Sequence, residues 1–131
     1  AQGMVFIAGG IGIAPMMSML RTLADQGDRR LLKLLYAYNS WERLTLREEL
    51  EELRERLDLE IIWLLKEPPP DWQGETGLVC ADLLARRLPL QEPGWHYLIC
   101  GPVAMINLTE KLLHQGGVPL SHIHSELFDL V

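Results

Sequence analysis

The chain has 131 residues, 48% of them hydrophobic, which is enough to form one compact domain with its own core. The net charge of −6 argues against a nucleic-acid surface, and no apolar run approaches the ~18 residues of a membrane-spanning helix. The two cysteines, Cys80 and Cys100, form no C-x-x-C pair and no disulfide framework, which predicts a reduced, cytoplasmic setting.

Strand-like and helix-like segments alternate from the start of the chain. Met4–Ala8 is an apolar run that ends at glycines, as a buried strand does. Pro15 suits the first turn of a helix, because the N–H that it lacks would have been unpaired there. Residues 16–23 carry the apolar stripe of that helix, whose methionines are predicted to be core or helix-packing residues, and Gly27 is a natural stop. Leu31–Tyr38 follows as a second buried strand.

The middle of the chain pairs a helix with a strand and then a long loop. Thr45 and Glu48 have the spacing of a capping box, and leucines follow at helical intervals up to Leu57. Leu59–Leu65 is predicted to be the third strand. Residues 67–77, "EPPPDWQGETG", contain three consecutive prolines and two glycines, which predicts a stiff loop without regular structure.

The remaining elements complete an alternating pattern. They are a short helix at Val79–Leu88, a strand at Tyr97–Cys100, a helix at Pro102–Gln115 and a fifth strand at Ile123–Leu127. This alternation predicts a three-layer α/β/α domain with a five-stranded parallel sheet covered by helices on both faces. Ligands of such sheets bind at the carboxyl ends of the strands, where the strand order reverses.

Two glycine-proline turns are expected at that point of the sheet. "AGGIGIAP" follows the first strand and "ICGPVAM" contains the end of the fourth. The first turn is not a G-x-G-x-x-G fingerprint, because Pro15 occupies the place of the third glycine. It also lacks the lysine and Ser/Thr of a P-loop. By itself, it is compatible with a phosphate-binding turn or with a tight packing turn.

Five segments carry a family resemblance: "GGIGIAPMMSML", "YAYNSWERLTLREEL", "WQGETG", "YLICGPVAM" and "VPLSHIHSELFDLV". Together they resemble the ferredoxin–NADP⁺ reductase family, and more narrowly the nucleotide-binding half of its flavin-linked and ferric-reductase-like members. The resemblance covers nearly the whole chain, and its most specific parts are G-x-G-I-A-P and C-G-P-x-x-M in this order.

The resemblance implies that residues 1–131 are the NAD(P)H-binding domain of a longer flavoprotein reductase. FAD would be held mainly by a barrel domain upstream. Independently of the resemblance, the early start of the first strand leads us to expect that a segment upstream is missing. Hydride would pass from the nicotinamide to FAD, and electrons would go on to an iron chelate, an iron–sulfur or haem protein, or oxygen. The isolated domain is expected to bind nucleotide without turnover.

The resemblance also implies roles for the two turns. Gly10, Ile11, Gly12 and Ile13 would hold the pyrophosphate, with Pro15 at the start of the helix behind it. In the second turn, Gly101 and Pro102 would run under the cofactor, and Met105 would lie near the nucleotide. Packing alone is the alternative role for the glycines and for Met105.

Reaction-side residues follow from the same resemblance. Cys100 would lie beside the nicotinamide and flavin, Glu126 would handle protons or position polar groups, and Phe128 would cover the isoalloxazine ring. The corresponding structural alternatives are a buried cysteine, a surface carboxylate and a packed aromatic residue. Trp72, Gly74 and Gly77 match the family's loop near the nicotinamide, although a stiff connector fits them equally well.

The adenosine end departs from the family pattern. Relatives commonly carry an arginine near the position of Asn39, where it pairs with a 2′-phosphate. Here only Ser40 and Arg43 could partly replace it, and no acidic residue at the strand tip could bind a ribose diol. We therefore expect weak discrimination, with a slight preference for NADH.

The sequence also leaves other functions and sites to consider. A non-catalytic nucleotide-sensing or partner-docking domain of the same fold is the alternative, and an FMN-binding flavodoxin-like domain fits the glycine turn poorly. His122 and His124 alternate on a predicted strand without a third ligand, so no metal site is expected. This segment itself is expected to contact neither nucleic acid nor membrane, although a whole reductase could be attached to a membrane elsewhere.

Overall fold

A computed structural model of the chain describes residues 3–40 and 46–127. The strands are β1 (Gly3–Gly9), β2 (Leu31–Ser40), β3 (Leu59–Glu67), β4 (Glu75–Thr76), β5 (Trp95–Gly101) and β6 (Ile123–Leu127). The helices are α1 (Ile13–Asp25), α2 (Arg47–Arg56), α3 (Ala81–Arg87) and α4 (Val103–Gln115). Short 3₁₀ turns, Gly10–Gly12 and Leu120–His122, precede α1 and β6.

The strands form one parallel sheet in the order β4-β3-β2-β1-β5-β6. The chain adds strands outward from β1 on one side and then crosses over to add β5 and β6 on the other. The strand order therefore reverses between β1 and β5, where Ala8 and Cys100 are in register. The predicted α/β architecture and its parallel sheet are confirmed.

A sixth strand lies inside the segment predicted to be an irregular loop. Glu75 and Thr76 pair with Leu64 and Leu65 of β3. The three prolines of the loop cannot donate to a ladder, but these two residues keep their N–H groups and lie beside the open edge of β3. The loop prediction was therefore wrong at its C-terminal end.

The alternation of side chains along the strands divides the core between the two faces. Phe6 and Ala8 face the layer that contains α1 and α2, whereas Val5 and Ile7 face the layer that contains α3 and α4. All four side chains are completely buried. The sheet is therefore covered on both faces at its centre, as continuous apolar strands require.

Helix boundaries follow the predicted signals with small shifts. Pro15 lies in the first turn of α1, and Gly27 follows the end of that helix with a φ of +68°. Helix α2 has Leu46 at its N-cap, while Thr45 of the predicted capping box lies outside the described residues. Met16 and Met17 are core residues, as predicted. Among the described helices, none is long and apolar enough to cross a bilayer.

Candidate nucleotide-binding site

A cleft of about 840 Å³ lies at the carboxyl ends of the central strands. Its volume is typical of cofactor sites. It spans the ends of β1, β2 and β3 and reaches the first turns of α1 and α4. The lining residues are Gly9, Gly10, Ile13, Ala14, Tyr36, Ala37, Tyr38, Asn39, Leu46, Lys66, Gly77, Leu78, Val79, Pro102, Ala104, Met105 and Leu108.

The first glycine turn leaves open space toward the cleft. Gly10 has a φ of +54°, which disfavours residues with a side chain, and a β carbon there would meet no atom within 4 Å. Helix α1 begins directly afterwards, and its N-cap, Gly12, provides no side-chain cap. The N-terminal N–H groups of a helix attract phosphate, so this turn fits a pyrophosphate.

The two glycine turns are packed directly against each other. A β carbon on Gly9 would collide with the Met105 sulfur, and one on Gly12 would collide with the carbonyl group of Cys100. On Gly101 it would lie 2.9 Å from the Met105 methyl group. Glycine is therefore required at Gly12, because the backbone of Cys100 cannot move away, whereas Gly9 and Gly101 lie against the flexible end of the Met105 side chain. The first turns of α1 and α4 line the same cleft.

The described residues that were predicted to bind the cofactor divide into two groups. Gly10, Ile13, Asn39, Pro102 and Met105 line the cleft. The backbone of Ile11 forms part of the 3₁₀ turn, whereas Gly12, Pro15 and Gly101 shape the turns and do not line the cleft.

Cys100 lies in the core under α1 and does not line the cleft. Only 1% of the residue is exposed. Burial, and then the negative charge of Glu126, raise the pKa of the thiol to about 11. The sulfur is therefore protonated near neutral pH, and its environment disfavours a thiolate.

Glu126 is exposed on β6, directly in register with Cys100. It lies on the edge strand of the sheet, two strands away from β1. Phe128 and Arg43 lie outside the described residues, as do the side chains of Ser40 and Ile11.

The aromatic floor of the cleft at β2 was not predicted from the sequence. The rings of Tyr36 and Tyr38 meet edge to face at 5.8 Å, and Trp63 lies 6.0 Å from Tyr36 on the neighbouring strand. Burial raises the pKa of Tyr36 to about 12, so its hydroxyl stays neutral. The alternation of aromatics at the end of "LLYAY" was the available signal.

The proline-rich loop is held in place by specific contacts. The Trp72 indole N–H donates to the carbonyl oxygen of Glu75 at 2.9 Å, and the Glu75 carboxylate accepts from Arg86 at 3.0 Å and Arg87 at 2.7 Å. Of the three loop residues predicted from the resemblance, only Gly77 lines the cleft. Trp72 and Gly74 pack on each other and act as structural parts of the loop.

Three histidines cluster at the β5–β6 side of the sheet. His122 lies in a 3₁₀ turn, so the prediction that it alternates with His124 on a strand was wrong. The His96 ring stacks on His122 at 4.4 Å, and His96 Nδ1 lies 3.1 Å from His124 Nε2. Within residues 3–40 and 46–127, no three His, Cys, Asp or Glu side chains are grouped to hold a metal ion.

The strand reversal between β1 and β5, with two interlocked glycine turns beside a cofactor-sized cleft, defines an α/β dinucleotide-binding domain. Residues 6–111 match the family model described as "Oxidoreductase NAD-binding domain". The chain belongs to this family.

The curated proteins that match this chain include reductases. The chain is 32% identical to NADH-cytochrome b5 reductase 1 of Aspergillus terreus over 93% of its length, which is 45% of that protein. For the same enzyme of Candida glabrata, the identity is 33% over 98% of the chain and 46% of the relative. The chain therefore spans about half the length of the curated relatives it matches.

Solved structures show the same fold. The cytochrome b5 reductase domain of Ulva prolifera nitrate reductase matches with a TM-score of 0.84 and 27% identity, over 96% of this chain and 49% of that one. The flavohem-like FAD/NAD-binding domain of Vibrio cholerae nitric oxide dioxygenase matches with a TM-score of 0.83 and 28% identity, over 95% of this chain and 50% of that one.

Proposed function

We propose that this chain is the NAD(P)H-binding domain of a flavin-dependent oxidoreductase and positions the nicotinamide for hydride transfer to FAD. FAD would be held mainly by a domain outside residues 1–131. The observation that carries the proposal is the contact between the two glycine turns beside a cleft of about 840 Å³. The matched reductases are about twice as long as the chain, which leaves room for a flavin domain.

The chain's own contribution is binding and orientation. Gly10 and the first turn of α1 would hold the pyrophosphate, because the turn is open and its N–H groups are uncapped. Pro102 and Met105 would contact the nicotinamide half, and the end of β2 would receive the adenosine half. The bound NAD(P)H supplies the hydride, while the mostly apolar cleft walls exclude water.

The uncovered part of the sheet is the proposed contact with the flavin domain. Helix α1 packs over β1 and β5, but His124 and Glu126 of β6 are exposed on the same face. Glu126 would then meet the flavin domain and act there as a proton-relay or positioning group. Cys100 would contribute a neutral, polarisable thiol behind the reaction site, consistent with its raised pKa.

The final electron acceptor is proposed to be a haem protein, in a cytoplasmic setting. Cytochrome b5 appears in the names of the relatives, and a flavohem-like protein is among the matching structures. Both cysteines of this chain are free, as a reducing compartment requires. An iron chelate, an iron–sulfur protein or oxygen would be distinguished by direct reductase assays on the full-length protein.

The binding part of the proposal is tested by NMR titration of the chain with NADH and NADPH. We expect shifts at residues 10–13 and 102–105, with Leu120–His122 on the opposite rim as internal control. No shift at millimolar concentration of either dinucleotide would overturn the assignment.

The catalytic part needs the full-length protein. Bleaching of flavin absorbance on addition of NAD(P)H is expected from a reductase. Nucleotide binding without a flavin, or without its reduction, would instead support the sensing or docking alternative.

A further inference from the structure

Lys66 is the one charged side chain that lines the cleft among the described residues. It is exposed at the carboxyl end of β3. Within residues 3–40 and 46–127, no salt bridge holds its ammonium group, whereas Lys33 on the same sheet is paired with Glu60. Lys66 therefore places the one positive charge in the described lining of this cleft, in a protein with a net charge of −6.

The strand register places Lys66 at the adenosine end of the cleft. Tyr38 pairs with Leu65 and Ser40 with Glu67, so Lys66 lies beside Asn39 at the tips of β2 and β3. The glycine turn follows β1, two strands away, which corresponds to about 10 Å. Pro102 and Met105, at the start of α4, line the opposite end of the cleft.

The charge of the cleft favours a phosphate over a bare ribose diol at this end. NAD-specific dinucleotide folds use an Asp or Glu to bind the ribose 2′-hydroxyl, but no carboxylate lines this cleft in the described part of the chain. A lysine ammonium binds phosphate as a point charge. Lys66 is therefore suited to a 2′-phosphate, and none of the described lining residues is acidic.

We propose that Lys66 binds the 2′-phosphate of NADPH and makes this domain prefer NADPH to NADH. The inference rests on the proposed function, since it assigns a specificity to the same cleft. It reverses the slight NADH preference expected from the missing arginine at Asn39, because the positive charge comes from the neighbouring strand. It also separates this domain from relatives that are named NADH-dependent.

The test compares dinucleotides and their adenosine halves by calorimetry at low ionic strength. The ligands are NADPH, NADH, adenosine 2′,5′-bisphosphate and AMP. We expect the wild type to bind NADPH about tenfold more tightly than NADH, the size of one charge-assisted contact. Lys66→Gln should remove this difference and leave the affinity for NADH within about twofold of the wild-type value. Lys66→Arg should retain the tenfold difference.

Two matched variants locate the effect. Lys111→Gln removes an exposed lysine on α4 that does not line the cleft, and it should leave the NADPH/NADH ratio unchanged. Arg43→Gln examines the other cation that was expected near the adenosine end. Raising the salt concentration should reduce the preference of the wild type but not the ratio measured for Lys66→Gln.

The outcomes separate the two proposals. If both dinucleotides bind but Lys66→Gln leaves their ratio unchanged, the role of Lys66 is overturned and the proposed function stands. A ratio that responds to Arg43→Gln alone would likewise overturn it. If neither dinucleotide binds the wild type, the proposed function fails and this inference fails with it.

Discussion

Gly12 lies so close to Cys100 that a β carbon on the glycine would collide with the cysteine's carbonyl group. This contact joins the turn after β1 to the end of β5, the two strands between which the sheet order reverses. It is made by backbone on the cysteine side, so no flexible side chain can move away. The separation of the two glycine turns is therefore set by the absence of a side chain at Gly12.

Gly12→Ala is predicted to destabilise the fold by about 1–3 kcal/mol, the range for overpacking a rigid site. Urea unfolding measures the change in free energy. An alanine variant as stable as the wild type would show that the turns can separate at little cost.

Gly10→Ala separates backbone strain from ligand binding. Its β carbon would meet nothing within 4 Å, but the φ of +54° is strained for alanine, at a cost of about 1 kcal/mol. Gly27→Ala is the matched control, because Gly27 has a φ of +68°, equally open surroundings and no place in the cleft. We expect similar losses of stability from both, but weaker nucleotide binding, measured by calorimetry, only from Gly10→Ala.

The two cysteines of the native protein are predicted to react with iodoacetamide at very different rates. Cys80 is exposed, whereas Cys100 is buried with a pKa raised to about 11, so about one Cys100 thiol in a thousand is ionised at pH 8. Mass spectrometry should find Cys80 alkylated and Cys100 intact. Both should react in denaturant, and equal native rates would contradict the buried position of Cys100.

Glu75→Gln is predicted to loosen the proline-rich loop. The Glu75 side chain is largely buried and pairs with Arg86 and Arg87, so its loss should cost about 1 kcal/mol. Hydrogen exchange across residues 72–77 should accelerate. Glu51→Gln removes an exposed pair with Arg54 on α2 and should change stability by less than about 0.5 kcal/mol. Equal effects of the two variants would refute this role of Glu75.

The histidine cluster predicts a loss of stability in mild acid. Burial, followed by the positive charges of His122 and His124, lowers the pKa of His96 below its ordinary value of 6.5. As the pH falls, His96 is therefore protonated in the unfolded chain before it is protonated in the folded protein. The free energy of unfolding keeps its full value above about pH 6.5 and decreases as the pH falls toward the folded-state pKa of His96.

Thermal unfolding of His96→Gln between pH 7.5 and 5 tests this effect. The variant should lose less stability than the wild type over this range. His114→Gln, on α4 outside the cluster, should follow the wild type. Parallel curves for His96→Gln and the wild type would exclude a role of His96.

Local sequence signals were sufficient for most elements but not for β4. Apolar runs bounded by glycine and proline predicted the strands that form the buried centre of the sheet, because their own composition requires burial on both faces. Glu75 and Thr76 carry no such signal. They become a strand only because the edge of β3 lies beside them, which is a property of the folded sheet.

The sequence by itself determined the parallel α/β architecture, the two glycine turns and the approximate limits of α1. Glycine and proline act there through the backbone of their own segment, so their effect is visible locally. Only the tertiary structure decided which side chains share the cleft. The strand register places Lys66 beside Asn39, and the Cys100 side chain lies in the core. Neighbours across a sheet are set by pairing between strands that are distant in the chain, so they cannot be identified from local sequence.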